Sequence, residues 1–127
     1  MEVEKIDTTY KSLSKKPDPG LCQEIVGHLE ENKAVDLVAI DLATKSSIAD
    51  YLVIASGTSS RHIKSLSDKV KEKLHHIGIK KVRVEGTENA DWILVDGGNI
   101  IIHLFRPEVR DFYGLEKMWQ ADFAEKE

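Results

Sequence analysis

Among all segments of the chain, Gly57-Thr58-Ser59-Ser60-Arg61 comes closest to a recognisable piece of chemistry. A glycine turn that feeds a helix N-terminus aims backbone N–H groups and the positive end of the helix dipole at an anion. Neither the phosphate loop G-x-x-x-x-G-K-[ST] nor the dinucleotide pattern G-x-G-x-x-G is present. Ser59 or Ser60 as a plain N-cap accounts for most of the motif, leaving Thr58 and Arg61 as contact residues at an exposed turn. A nucleotidyltransferase would also need two carboxylates at i and i+2 of a neighbouring strand, facing one way, to hold metal ions. The strand expected after the helix reads Lys81-Val82-Arg83-Val84-Glu85, with bases where those acids belong. Asp91 and Asp96 are five apart and would face opposite sides of an extended strand. An enzyme that handles phosphate at the Gly57 turn is therefore the second reading, behind a binding protein.

The five histidines build no metal site, and no metal or cofactor is expected. His75 and His76 are adjacent, so on a helix they point about 100° apart, and they sit where a helix C-terminus favours them. His28 and His62 have no acidic or cysteine partner at ligand spacing. His103 shares a strand face with Ile101 and Phe105, which suits a hydrogen-bonded histidine in a sheet better than a catalytic base. Cys22 is the only cysteine, so it reads as a small apolar filler in a reducing compartment. There is no G-x-S-x-G elbow and no acidic pair placed for acid–base work. The aromatics point to contact rather than turnover. Trp92 opens a strand directly after the polar loop Gly86–Asp91; capping the core is the commoner use of such a residue, and anchoring a protein interface is the other.

Charge is distributed unevenly along the chain. Arg61, Lys64, Lys69, Lys71, Lys73, Lys80, Lys81 and Arg83 face only Asp68 and Glu72 across that stretch, a local +6 in a chain of net charge −4. A general nucleic-acid binder is not normally acidic overall, so the stretch is either a solvated helix face or a minor RNA contact. The acidic surplus elsewhere suits a basic protein partner. At 127 residues, with 41% apolar and 31% charged residues, the chain supports one domain and one core. Met1-Glu2-Val3-Glu4-Lys5 is not a signal peptide and no run is long enough to span a membrane, so a cytosolic protein is expected.

The elements that would carry these residues follow from periodicity. Residues 1–18 are polar and punctuated by Lys15-Lys16-Pro17-Asp18-Pro19-Gly20, a flexible extension before a domain spanning 19–123. Asp18 as N-cap and Pro19 at the first position start a helix with Leu21, Cys22, Ile25, Val26 and Leu29 on one face. Strands are expected at Val35–Leu42 and Asp50–Ser56, joined by a polar connection, with Tyr51–Ala55 covered on both faces. A helix carrying Ile63, Leu66, Val70, Leu74 and Ile77 runs to a stop at Gly78. Lys80–Glu85 alternates as a half-buried strand; Trp92–Asp96 and Ile100–Phe105 form a hairpin about Gly97-Gly98-Asn99. Pro107 opens a helical tail, broken near Gly114 and resuming through Leu115–Trp119, with Phe112, Tyr113 and Trp119 docking it. The order αββαβββα makes strands two and three parallel through a right-handed crossover and the hairpins antiparallel. That is a single α/β (α+β) domain with a mixed five-stranded sheet flanked by helices.

From about Gly20 to Trp119 the sequence resembles the ribosomal silencing factor (Iojap/RsfS) family. The resemblance is carried by Lys45-Ser46-Ser47-Ile48-Ala49-Asp50, Gly57-Thr58-Ser59-Ser60-Arg61-His62, Glu85-Gly86, Ala90-Asp91-Trp92-Ile93, Val95-Asp96, Ile102-His103 and Arg110-Asp111-Phe112-Tyr113-Gly114-Leu115-Glu116-Lys117-Met118-Trp119. Asn99 departs from it, where the family more often has Asp in the turn. The resemblance implies a nucleotidyltransferase-like fold without catalysis. It also implies binding to the large ribosomal subunit through large-subunit protein fourteen, which blocks subunit joining and represses translation. Trp92 is carried over as the anchor of that interface. Asp91 and Glu85 are added as acidic contacts from charge complementarity, with Thr58, Ser59 and Arg61 on the turn. A Trp-bearing edge can equally pair with a second copy, so a homodimer stays open.

Overall fold

Two kinds of apolar pattern in the sequence become the two faces of one sheet. The computed structural model describes residues 19–42 and 49–114. Its elements are α1 (Pro19–Glu31), β1 (Val35–Asp41), β2 (Tyr51–Ser56), α2 (Ser60–Ile77), β3 (Arg83–Glu85), β4 (Trp92–Asp96), β5 (Ile100–Phe105) and α3 (Pro107–Tyr113). The Asp18 cap, the 1–18 extension, most of the 43–49 connection and the Leu115–Trp119 helix lie outside the described residues, as do the side chains of Phe112 and Tyr113.

The sheet order is β1-β2-β5-β4-β3. β2 pairs in parallel with β5, and every other neighbouring pair is antiparallel. β2 and β3 do run in the same direction, as expected, but they are not neighbours. The place beside β2 goes to β5, Ile-Ile-Ile-His-Leu-Phe, whose largely apolar sequence fits a strand with partners on both edges. β3, short and carrying Arg83 and Glu85 outward, takes an edge, where charge discourages further pairing. It is also shorter than the expected Lys80–Glu85, because its partner β4 ends at Asp96, opposite Arg83. β1 forms the other edge, with a bulge between Val35 and Val38 at which Asp36 takes a positive φ of 51°.

One face of the sheet is sealed by the helices α1 and α2. Ile25 and Leu29 of α1 and Ile63, Leu66, Val70 and Leu74 of α2 are fully buried against Val53, Ala55, Ile93, Val95, Ile102 and Leu104. Each such aliphatic side chain contributes roughly 1.5–3 kcal/mol on leaving water. The α2 helix starts at Ser59, whose hydroxyl accepts from the His62 N–H at 3.0 Å, and stops at Gly78 in the left-handed region. Among the described residues, the opposite face is only partly covered. There Leu42, Leu52, Ile54 and Phe105 are buried, with Val38, Ile40, Trp92, Ile101 and Val109 of α3 packed around them. Every residue of β2 is buried, as its unbroken apolar run anticipates.

Candidate partner-binding site

Strand register gathers the expected contact residues at one end of the sheet. Ser56 at the close of β2 lies opposite Phe105 of β5, and Phe105 lies opposite Trp92 at the start of β4. Glu85 ends β3 opposite Leu94, so the β2–α2 turn, the Gly86–Asp91 loop and the β5–α3 junction all emerge together. The two groups diverge in depth, however. Glu85, Asp91 and Trp92 line one cleft of about 840 Å³ with Gly86, Thr87 and Glu108. Thr58, Ser59 and Arg61 do not line it. They stand at the start of α2, which packs on the other face.

Trp92 is half-buried, and its ring is held by two neighbours. The indole lies on Phe105 with ring centres 4.8 Å apart and on His103 at 5.8 Å. Its Nε1–H donates to His103 Nδ1 at 2.9 Å. Burial alone pulls the His103 pKa down to about 4, so the ring is neutral at physiological pH and free to accept. Behind the indole, the loop is held tightly. The Ala90 N–H donates to the Gly86 carbonyl at 3.1 Å, and Ala90, nearly fully buried, sits at a positive φ of 57°. A non-glycine residue in that region stores strain that the surrounding packing must hold.

The acidic residues are less free than the sequence implies. The Arg106 backbone N–H donates to the Asp91 carbonyl at 3.0 Å, and its guanidinium reaches Asp91 Oδ1 at 3.2 Å while also pairing with Glu108. Glu85 has Arg83 at 3.6 Å, both well exposed. Such half-exposed pairs contribute at most about 1 kcal/mol each, so a partner can displace them cheaply. Arg106 carries no sequence signal beyond its place before Pro107, and its role emerges only from the fold. Behind it, the nearly buried Arg110 donates to Ser56 Oγ at 2.8 Å, tying α3 to the end of β2.

Three N–H groups at the Gly57 turn are used internally. Gly57 N–H donates to the Phe105 carbonyl at 3.0 Å, Thr58 N–H to His62 Nδ1 at 2.9 Å, and His62 N–H to Ser59 Oγ. The glycine itself is required, since a Cβ there would meet Ile63 Cγ1 at 2.9 Å and the His62 ring at 3.1 Å. No group of three or more metal-capable side chains gathers anywhere among the described residues. Nor is any described helix long and apolar enough to cross a membrane.

A mixed sheet with one face sealed by helices, and a rigidly held tryptophan beside an acidic cleft on the other, defines a small α/β binding protein. Comparison with known proteins identifies which kind. The family model described as "Ribosomal silencing factor during starvation" matches residues 15–127. The chain belongs to the ribosomal silencing factor family, RsfS/Iojap, whose members are ribosome-binding regulators and not enzymes. It is 48% identical over 103 residues to ribosomal silencing factor RsfS of Zymomonas mobilis, covering 80% of this chain and 77% of that one. To the Bacillus subtilis RsfS it is 33% identical over 90 residues, covering 71% and 76%. A crystal structure from Chromobacterium violaceum superimposes with a TM-score of 0.76 at 33% identity, covering 80% of this chain and 84% of that one. One from Bacillus halodurans gives 0.71 at 31%, covering 80% and 95%.

Proposed function

We propose that this ribosomal silencing factor binds the large subunit by seating Trp92 against large-subunit protein fourteen, and that its bulk there keeps the small subunit from joining. The observation that carries this reading is the half-buried indole, held by His103 and Phe105 and bordered by an acidic cleft. A rigid aromatic loses little freedom on binding, and carboxylates around it suit a basic ribosomal protein. Nothing in steric blocking requires turnover. Asp91 and Glu85 serve as rim contacts of the same surface, and Thr58, Ser59 and Arg61 as contacts from the neighbouring turn. The reading puts the protein in the cytosol with the ribosome.

The basic stretch from Arg61 to Arg83 would act separately. Arg61, Lys64, Lys69, Lys71, Lys80 and Lys81 are exposed, on or just beyond the helix that covers the other face, while Lys73 pairs with Glu24 at 3.5 Å. An RNA contact there would add to the Trp92 interface without replacing it. Pairing of two copies through the Trp92 face would hide the same surface, so a homodimer would have to open before binding.

Sedimentation with isolated large subunits tests the reading. Trp92→Ala should weaken co-sedimentation by about thirtyfold, the scale of a loss of about 2 kcal/mol at an interface anchor. Wild-type protein should also suppress formation of joined ribosomes from purified subunits. Unchanged joining in its presence would defeat the proposal.

A further inference from the structure

His103 is the member of the Trp92 cluster whose hydrogen-bonding capacity is half used. An indole N–H can only donate, so the Nδ1 that receives it at 2.9 Å must carry a lone pair. A neutral imidazole then bears its proton on Nε2. No described residue accepts from that N–H, although the ring is half-buried. The same ring lines a second groove of about 250 Å³ together with Glu85, Gly86, Trp92 and Leu94. Glu85, Gly86 and Trp92 border both this groove and the larger cleft, so the two are one continuous surface divided by the tryptophan.

We infer that His103 is itself a contact residue of the partner-binding surface, its Nε2–H donating to a backbone carbonyl oxygen of the ribosomal protein that covers Trp92. This rests on the function proposed above and adds the chemistry of what enters the groove. The acceptor is neutral because Glu85 borders the groove and Glu88, Asp91 and Glu108 border the adjoining cleft, an arrangement that repels carboxylates and RNA phosphates. It is an acceptor because the tautomer is fixed: while Trp92 occupies Nδ1, the groove sees only a donor. Sequence alone gives the residue, on a face with Ile101 and Phe105, but not the tautomer, which depends on strand register placing Trp92 beside it.

Two substitutions in the full chain separate contact from mere support of the tryptophan. His103→Asn puts an amide oxygen near the Nδ1 position, keeping an acceptor for Trp92 while removing the groove donor. His103→Gln does the reverse, reaching the Nε2 position with an amide N–H. Binding to isolated large subunits should fall about tenfold for His103→Asn, the scale of one interfacial hydrogen bond, and fall less for His103→Gln, which keeps the groove donor while giving up the acceptor that braces Trp92. Wild-type binding by the Asn variant overturns the inference, and so does a loss by the Gln variant as large as that of the Asn variant; if the Asn variant fails to fold, a Gln variant that binds as weakly as Trp92→Ala overturns it. Trp92→Ala run in parallel tells the two readings apart. If it binds weakly while His103→Asn binds fully, only the role of His103 falls; if Trp92→Ala binds fully, both fall.

Discussion

Gly86 lies against the carbonyl oxygen of Trp92 so closely that a Cβ built on it would overlap that oxygen. Its φ of +92° is one that side chains disfavour in any case. Gly98, in the β4–β5 turn, has nearly the same φ of +89° but nothing within 4 Å of its missing Cβ. The pair therefore separates conformational strain from steric conflict. Gly98→Ala should cost about 1 kcal/mol, the strain alone, whereas Gly86→Ala should cost at least ~3 kcal/mol and weaken large-subunit binding by displacing Trp92. Urea denaturation of both variants measures this; equal costs would show that the approach of Gly86 to Trp92 is relaxed in solution.

His62 braces three pieces of the structure at once. It accepts from the Thr58 N–H at 2.9 Å through Nδ1, so its Nε2–H donates to the Asn32 carbonyl at 3.0 Å, joining the end of α1 to the start of α2. His62→Ala leaves both backbone groups without that partner and should lower stability by about 2 kcal/mol. Amide hydrogen exchange should quicken at Thr58 and leave β5 unaffected. Unchanged protection at Thr58 would contradict the bracing role.

Acid should loosen the Trp92 cluster before it unfolds the domain. His103 titrates near 4 in the folded protein, below the ordinary 6.5 it regains on unfolding. The unfolded chain therefore binds the proton more readily, so stability is intact above about pH 6.5 and declines as pH falls toward 4. The full difference is at most ~3 kcal/mol for this group. Thermal melts of wild type and His103→Asn between pH 6.5 and 5 check the sign: wild type should lose stability with acid more steeply than the variant. Parallel curves would mean that the histidine is not held neutral by burial.

Cys22 should be inert. It is buried on α1, and burial, with Asp41 adding to it, pushes its thiol up to about 11. At neutral pH roughly one molecule in ten thousand then carries the reactive thiolate. Iodoacetamide should label the native protein negligibly over an hour and the denatured protein completely. Rapid native labelling would show that α1 opens frequently.

Periodicity and punctuation made most of the elements legible without a structure. The apolar face of α2 and its glycine stop, the unbroken run of β2 and the glycine turn before Ile100 each depend on local chemistry, because helix and strand repeats and left-handed turns are properties of short segments. The quoted motifs likewise sufficed to identify the family. What the sequence determined was therefore the inventory: which strands and helices form, that Trp92 opens a strand, and that His103 shares a face with Phe105.

Tertiary structure alone decided who meets whom. Placing β5 between β2 and β4 is a long-range choice, made by burying a largely apolar strand at the centre, and it sets His103 beside Trp92 and Phe105 opposite both Ser56 and Trp92. The same placement brings Arg106 onto Asp91 and the Phe105 carbonyl onto the Gly57 turn, contacts between residues 15 and 48 positions apart. It also sends Thr58, Ser59 and Arg61 to the start of a helix on the other face from the indole. No local pattern encodes such pairings, because they are fixed by the free energy of closing one core around all five strands.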